Sequence, residues 1–374
     1  MRSALRNLLT IVVIAAFSGT ASAATLGQVY DDGFDDAGTS AWRAIGLPPD
    51  PTVASLAAPV VRIDVRWPAI AATTPRSPRN PNSVGYDWRS VDRRMIAAAT
   101  NGAAVLLAIG GTPEWARNDG GAGGSPGDPA WMPKRVAWRN FVFAVAKRYS
   151  GTYGNPALPR ASQFEIWPQP NLAASLRPQR IATRLVAPGL YRLLLNTAKA
   201  ELAGVAAAGG YSATIVSGGL SRTDAAATVD TPALQFLRGL ARTRVTFDAI
   251  GLRLSPPSGL EAAADPTNLS LTDFTTVVTA IDTYWPGDGK TIWLTGYGAP
   301  SGPAEAGLSD GSQSAAVGAF LAAAANPRVG IAIWSGLKDT TAAPFAGLYR
   351  AAATGSLGSA KPAWSSWTGT TPPP

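Results

Sequence analysis

The chain has 374 residues, with 32 Lys and Arg against 24 Asp and Glu, and it contains neither Cys nor His. Without Cys there are no disulfides and no thiol chemistry, so an exported fold would stand on its hydrophobic core alone. Without His, Ser-His-Asp and Cys-His catalysis are excluded along with nearly every catalytic zinc arrangement; no Asp-x-Asp-x-Asp-Gly run offers a Ca²⁺ loop, so no metal or other cofactor is expected.

At the start of the chain, Arg2 and Arg6 precede an apolar run from Leu8 to Phe17 and the small residues Ala21-Ser22-Ala23, which is the plan of a secretory signal. Residues 1–23 are therefore expected to be cleaved on export, giving a secreted or extracytoplasmic protein whose folded unit is 24–367 and whose Pro-rich tail is 368–374. No later apolar run approaches the roughly 20 residues that a membrane-spanning helix needs, so no membrane span is expected. Removing Arg2 and Arg6 leaves 30 of the 32 cations against 24 acids, or +6. The cations are scattered and mostly Arg, which does not read as a nucleic-acid footprint, although a basic face toward anionic cell-surface polymers is compatible with that charge. A monomer is expected.

From there on, β-branched runs alternate with helix-like stretches. Strands are expected over Gln28–Asp31 and Val60–Val65; Asp87 then caps a helix that ends at Asn101-Gly102 and buries Val91, Met95 and Ala98. A strand over Ala104–Ile109 leads to the Gly-rich segment Gly120 to Gly127, which reads as an enlarged strand-to-helix loop. Trp138, Phe141, Val142 and Val145 come next at i, i+3, i+4, i+7 spacing and predict a helix. Strands over Phe164–Trp167 and Ala213–Ser217 lead to a helix in which Thr231 is the N-cap and Pro232 the first residue, with Leu234, Leu237 and Leu240 on its buried face. The last strands are Phe247–Leu252, Thr291–Thr295 and Gly330–Trp334. Eight β/α units with no convincing internal linker predict an α/β fold, a single-domain (β/α)8 TIM barrel. A doubly wound sheet would alternate similarly but would carry a Gly-rich phosphate turn, and Gly110-Gly111-Thr112-Pro113 lacks that spacing.

In a barrel the C-terminal ends of the strands form the mouth, so the chemistry is read there. In Val61-Arg62-Ile63-Asp64-Val65-Arg66-Trp67 the strand period of 2 puts Arg62, Asp64 and Arg66 on one face. A buried guanidinium needs a partner, which would be Asp64, Glu165 or a ligand anion, and an ion-pair layer inside the barrel is expected. Further along stand Tyr86-Asp87-Trp88 with Asp92, Thr112-Pro113-Glu114-Trp115-Ala116, and Phe164-Glu165-Ile166-Trp167-Pro168-Gln169-Pro170-Asn171. After them come Phe247-Asp248-Ala249-Ile250-Gly251-Leu252-Arg253-Leu254-Ser255-Pro256, Ile292-Trp293-Leu294-Thr295-Gly296-Tyr297-Gly298, Ile331-Ala332-Ile333-Trp334-Ser335 and Lys361-Pro362-Ala363-Trp364. Together these segments resemble the clan A glycoside hydrolases, the (β/α)8 enzymes related to family 5 cellulases and family 39 xylosidases and iduronidases, over nearly the whole mature chain.

The resemblance implies where chemistry would sit. Members carry an acid/base Glu in Trp-Asn-Glu-Pro-Asn and a nucleophile Glu in Trp-x-Thr-Glu-x-Gly, and retention needs the two carboxyl groups about 5–5.5 Å apart. Here Pro168-Gln169 and Gly296 stand at those places, Arg253 and Ser255 replace the sixth-strand His and Tyr, Arg62 matches the Arg that supports the nucleophile, and Trp334 matches the sugar-stacking aromatic. Gln169 can exchange hydrogen bonds but cannot deliver a proton as an acid does. The chain is therefore expected to be a glycosidase-like barrel that has lost hydrolysis and binds a polysaccharide, an oligosaccharide or another cell-envelope component. Its expected ligand-binding residues are Gln169, Asn171, Arg253, Tyr297, Trp334, Arg62 and Trp67. Trp67, Trp115, Trp167, Trp293 and Trp334 would share an aromatic lining, with at least two of them in the core. Two other readings stay open: an active O-glycosyl hydrolase that uses relocated carboxylates among Asp64, Glu165 and Asp339, and an interaction or structural scaffold with a vestigial pocket. Glu114, at a strand-to-loop turn, is read as a cap for backbone N–H groups.

Overall fold

The computed structural model describes residues 25–30, 60–100, 102–118, 128–154, 157–223, 229–254, 269, 271, 274–299, 301, 309–336, 339, 347–351 and 357–368. The signal segment, the Gly-rich loop from Gly120 to Gly127, Ser255 and the tail after Thr368 lie outside the described residues. Eight parallel strands form the barrel: β1 (Thr25–Tyr30), β2 (Val60–Arg66), β3 (Ala104–Gly110), β4 (Gln163–Ile166), β5 (Thr214–Ser217), β6 (Ala249–Arg253), β7 (Thr291–Tyr297) and β8 (Val329–Ser335). Each pairs with the next in chain order, and β8 pairs with β1, which closes the ring. All eight expected strands are present, with ends displaced by a few residues. The surrounding helices are α1 (Arg89–Thr100), α2 (Arg135–Arg148), α3 (Ala187–Ala208), α4 (Ala233–Ala241), α5 (Phe274–Tyr284), α6 (Asp310–Ala324) and α7 (Pro362–Thr368). Among the described residues no helix is long and apolar enough to cross a membrane.

Strands covered on both faces read as nearly continuous apolar runs, and Val105 to Ile109 of β3 are buried throughout. Strand parity separates two cores. Val60, Leu106, Val216, Ala249, Trp293, Ile331 and Ile333 form one cluster, the floor inside the ring. The alternate residues, such as Ile63, Val65, Leu107, Ala332 and Trp334, belong to the larger cluster between strands and helices. Asp92 of α1 ties its helix to the end of α2, accepting hydrogen bonds from Arg148 Nε at 2.8 Å and the Tyr149 hydroxyl at 3.0 Å. The start of α4 differs from expectation: Pro232 is the N-cap, and the Thr231 hydroxyl donates to Gln179 Oε1 at 2.8 Å instead of capping the helix. Thr231 thereby couples the loop after β5 to the loop after β4.

Above the apolar floor lies a charged layer. Arg62 is 1% exposed; its Nε donates to Glu165 Oε2 at 2.7 Å and its Nη1 to Asp64 Oδ1 at 2.6 Å. Glu165 Oε1 accepts from the Gly219 backbone N at 2.8 Å and from the Thr295 hydroxyl at 3.4 Å. One buried cation thus draws groups from β2, β4, β7 and the segment after β5 toward the axis. Burial works against the charge on Arg62, but the adjoining Asp64 and Glu165 outweigh it and hold its pKa above the ordinary guanidinium value. The C-terminal segment is locked by a second pair, in which Lys361 Nζ donates to Asp339 Oδ1 at 2.8 Å with side-chain exposures of 1% and 8%. Desolvation raises the pKa of Asp339 and lowers that of Lys361, so the pair is held against the cost of burying both charges.

Removing one partner of a buried pair strands the other. Arg62→Met is expected to lower the unfolding free energy by about 3–5 kcal/mol, because Glu165 loses its counter-charge, and urea denaturation followed by circular dichroism measures it. Asp339→Asn is expected to cost about as much through the buried Lys361 ammonium, whereas the joint change Asp339→Leu with Lys361→Met should recover most of the loss. A neutral effect of Arg62→Met would contradict the role given to the charged layer.

Candidate functional site

The mouth is built on the segment after β4. Trp167 and Gln169 both have left-handed backbone, with φ of 59° and 56°, on either side of Pro168. Such conformations are uncommon outside Gly and persist where neighbours hold them. Here the Trp167 N–H donates to the Ile109 carbonyl at 2.7 Å and the Gln169 N–H to the Gly219 carbonyl at 3.1 Å. Close approach makes small residues necessary beneath this segment: a Cβ added to Gly218 would lie 1.9 Å from the Trp167 carbonyl oxygen, and one added to Gly251 would lie 2.1 Å from that of Ser217. Tyr191 of α3 reaches the same place, donating its hydroxyl to the Ile166 carbonyl at 2.8 Å while the Gly218 N–H donates to it; burial pushes this phenol far above its ordinary pKa.

Gln169 is half-buried, and its Nε2 donates to the Ser221 hydroxyl at 2.6 Å. Asn171 is fully buried. Its Nδ2 donates to the carbonyls of Ser221 at 2.8 Å and Thr231 at 3.0 Å, and its Oδ1 accepts from the Ser221 N–H at 3.0 Å. The Asn171 amide is therefore taken up in fastening two loops, while that of Gln169 stands at the edge of the mouth.

Gly296 and Arg253 meet across β7 and β6, where the two residues are register partners beyond a β-bulge. The bulge changes the parity of β7: Thr295 and Gly296 both lie toward the axis side, and Tyr297 turns to the helices. A Cβ added to Gly296 would lie 3.0 Å from Ser335 Oγ and 3.3 Å from Arg253 Nε. Ser335 Oγ is buried with no hydrogen-bond partner among the described residues, and Arg253 is half-buried. The place left by the absent side chain is thus bordered by a hydroxyl and a guanidinium. Neither Ser221 nor Ser335 stands out in the sequence motifs; Ser335 continues Ile331 and Ile333 at period 2, which is the signal that could have found it.

The aromatic residues lie elsewhere than a sugar platform requires. The Trp334 ring is fully buried and packs against Tyr297, Phe320 of α6 and Trp367 of α7, with centroids 5.5, 6.1 and 6.1 Å away. Tyr297 stacks on Phe320 at 4.9 Å. Trp67 is fully buried and stacks on Phe141 of α2 at 4.9 Å, Trp167 packs on Trp138 at 5.3 Å, and Trp293 fills the barrel floor. Only half-buried Trp115 departs from this pattern among these five, and its Nε1 donates to the Ala71 carbonyl at 2.8 Å. Parity explains Trp334, since the strand that sends Ile331 and Ile333 inward must send Trp334 outward.

The carboxylates that could form a relocated pair are committed to cations. Asp64 and Glu165 share Arg62, and Asp339 is bound to Lys361 in the C-terminal lock, where it also accepts from the Gly347 N–H at 3.0 Å. Exposed Glu114 lies in a single turn of 3-10 helix over Glu114–Ala116. Among the described residues no group of three or more acidic side chains could hold a metal ion.

No protein-family model and no curated protein matches the sequence. Solved structures do share the fold. A family 39 glycoside hydrolase from Bacteroides cellulosilyticus WH2 superposes with a TM-score of 0.56 at 15% identity, covering 92% of this chain and 62% of that one, so the chain spans about three fifths of that enzyme's length. A family 39 β-xylosidase from Caulobacter crescentus gives 0.58 at 16% identity over 93% of this chain and 72% of that one. A broad-specificity family 5 endoglucanase from Clostridium acetobutylicum gives 0.55 at 12% over 87% and 91%. The protein therefore has the (β/α)8 fold seen in glycoside hydrolases of families 39 and 5.

Proposed function

We propose that this is an exported glycosidase-like barrel that binds a polysaccharide or oligosaccharide at its mouth without hydrolysing it. The observation that carries the reading is the state of the acidic groups on the barrel axis: buried Glu165 has both oxygens engaged, Asp64 is paired with Arg62, and Gln169 and Gly296 occupy the places where the resemblance calls for acid/base and nucleophile. Glycosidic cleavage by this chemistry needs two carboxyl groups that face the sugar from opposite sides. Losing residues that act as a unit costs on the order of 10⁶ in rate, even where binding survives. Gln169, Ser221, Arg253 and Ser335 supply hydrogen-bonding groups suited to sugar hydroxyls. The fold shared with a β-xylosidase and an endoglucanase supports a saccharide as the class of ligand.

Sedimentation with insoluble polysaccharides, or calorimetry with soluble oligosaccharides, should detect binding by the mature chain, with reducing-end release no greater than in buffer. Clear product release at ordinary enzyme concentrations would sink the reading. Gln169→Ala removes one hydrogen-bonding group worth about 1 kcal/mol, so affinity is expected to fall roughly five-fold.

Restoring the acids tests the geometry further. A side chain at 296 meets both Arg253 and Ser335. The triple change Pro168→Asn, Gln169→Glu and Gly296→Glu is therefore expected to remain without hydrolysis until Arg253→His is added. Turnover by the triple variant alone would show that this crowding does not matter.

A further inference from the structure

We infer that the outer wall formed by α3, α4 and the hairpin before α3 is a docking surface for a lipid bilayer that carries anionic headgroups. The inference goes beyond glycan binding, since it concerns the side of the barrel and not its mouth. Two-residue strands, Arg180–Ile181 and Arg184–Leu185, pair antiparallel to form the hairpin. Close packing joins it to the helices: a Cβ added to Gly239 of α4 would lie 2.8 Å from Pro188 Cγ and 3.7 Å from Leu185 Cδ2. Farther down, Asn196 of α3 donates its Nδ2 to the Arg244 carbonyl at 2.8 Å and accepts from the Thr246 N–H at 3.0 Å. These contacts set Arg180, Arg184, Arg192, Arg238, Arg242 and Arg244 along one wall.

None of the six guanidinium groups makes an ion pair or a hydrogen bond among the described residues, and those of Arg184, Arg238, Arg242 and Arg244 belong to exposed residues. Their number equals the excess of cations over acids in the whole mature chain. Arg238 and Arg242 stand at i, i+4 on α4, a spacing at which like charges repel. Arg192 is half-buried, and its Nε is buried with no hydrogen-bond partner among the described residues. The acids on and beside these helices are committed. Asp248 accepts from Lys199 and from the Ile215 N–H, both at 2.8 Å, and Asp230 accepts from the Ala173 N–H at 2.7 Å. Glu201, on the opposite face of α3 from Arg192, is held by Arg79 and Arg139. A wall of this charge favours an extended anion. Its apolar members select a bilayer over a charged polymer: Ile181 in the hairpin is 63% exposed and Leu193 of α3 is 38% exposed. Interfacial binding adds the burial of such side chains to the attraction for headgroups, whereas a polyanion offers them no apolar medium.

The test is sedimentation of the mature chain with vesicles of phosphatidylcholine alone and with vesicles in which roughly a third of the lipid is phosphatidylglycerol, beside its binding to soluble polyphosphate. Anionic vesicles should bind the chain about ten-fold or more tighter than neutral ones, and added salt should weaken the attachment. Each cation at such a surface strengthens binding about five-fold, so the joint change Arg184→Gln, Arg238→Gln and Arg242→Gln should weaken it about a hundred-fold. Ile181→Ser leaves the charge unaltered and should weaken vesicle binding about five-fold. Arg93→Gln, which removes an exposed cation from α1, two helices away round the barrel, should change nothing. Equal binding to neutral and anionic vesicles, no binding to either, or a triple variant that binds as before overturns the inference. So does a chain that holds polyphosphate as tightly as vesicles and is indifferent to Ile181→Ser, which makes the partner a charged polymer. Saccharide binding at the mouth should be the same in every variant, so failure here leaves the glycan reading standing.

Discussion

A guanidinium withdrawn from water inside a barrel is tolerable only with its charge and its donors answered, so Arg62 dictates what surrounds it. Glu165 answers on one side and Asp64 on the other. The consequence spreads through Glu165, whose second oxygen is taken by the Gly219 N–H and the Thr295 hydroxyl. Residue 219 must then be Gly, because a Cβ there would lie 2.1 Å from Thr295 Oγ1. A carboxylate with both oxygens engaged and 1% exposure has no lone pair turned toward a ligand. The bonds that stabilise the charged layer thus also withdraw Glu165 from chemistry.

The same crowding shapes the mouth. Gly218 and Gly251 let β4, β5 and β6 approach to distances that no side chain would permit, and the segment from Trp167 to Gln169 is bent over them in left-handed backbone. Bonds to the Ile109 and Gly219 carbonyls hold that bend, and Asn171 fixes the next turn by spending its whole amide on the loops after β5. The Gln169 side chain therefore starts from a constrained backbone and is aimed at Ser221. Strain of this kind is kept where a side chain must be held in one direction, which accords with a binding role for Gln169.

Much of this is legible in the chain. Eight β-branched runs separated by helical periods point to the barrel, since closed parallel sheets need apolar strands and amphipathic covers. Period 2 places Arg62 and Asp64 on one face, and the cost of an unpaired guanidinium names Glu165 as a partner. Trp334 is less legible: its matched position points to the mouth, whereas the parity of Ile331 and Ile333 sends the ring under α6 and α7. Parity alone fails in β7, where a bulge between Leu294 and Gly296 resets the alternation and turns Tyr297 outward. No local pattern in Thr295-Gly296-Tyr297 announces that bulge, because it arises from pairing with β6 and β8. The coupling of Thr231 to Gln179 is likewise a contact between distant loops, invisible to a capping rule that looks only along the chain.

The burial of these aromatic rings bears on what kind of ligand the mouth could hold. Sugar-binding sites ordinarily draw affinity from ring faces packed against C–H surfaces together with directed hydrogen bonds. With Trp334, Tyr297, Trp67, Trp167 and Trp293 all enclosed, the first contribution is largely removed at the described part of the mouth. Neutral hydroxyls exchanging water for Gln169, Ser221 and Ser335 would return little each, since every such bond replaces one already made to solvent. A mouth whose described ring faces are given to the helices therefore depends on directed hydrogen bonds such as those of Gln169 and Ser221, and these discriminate by geometry rather than by apolar area.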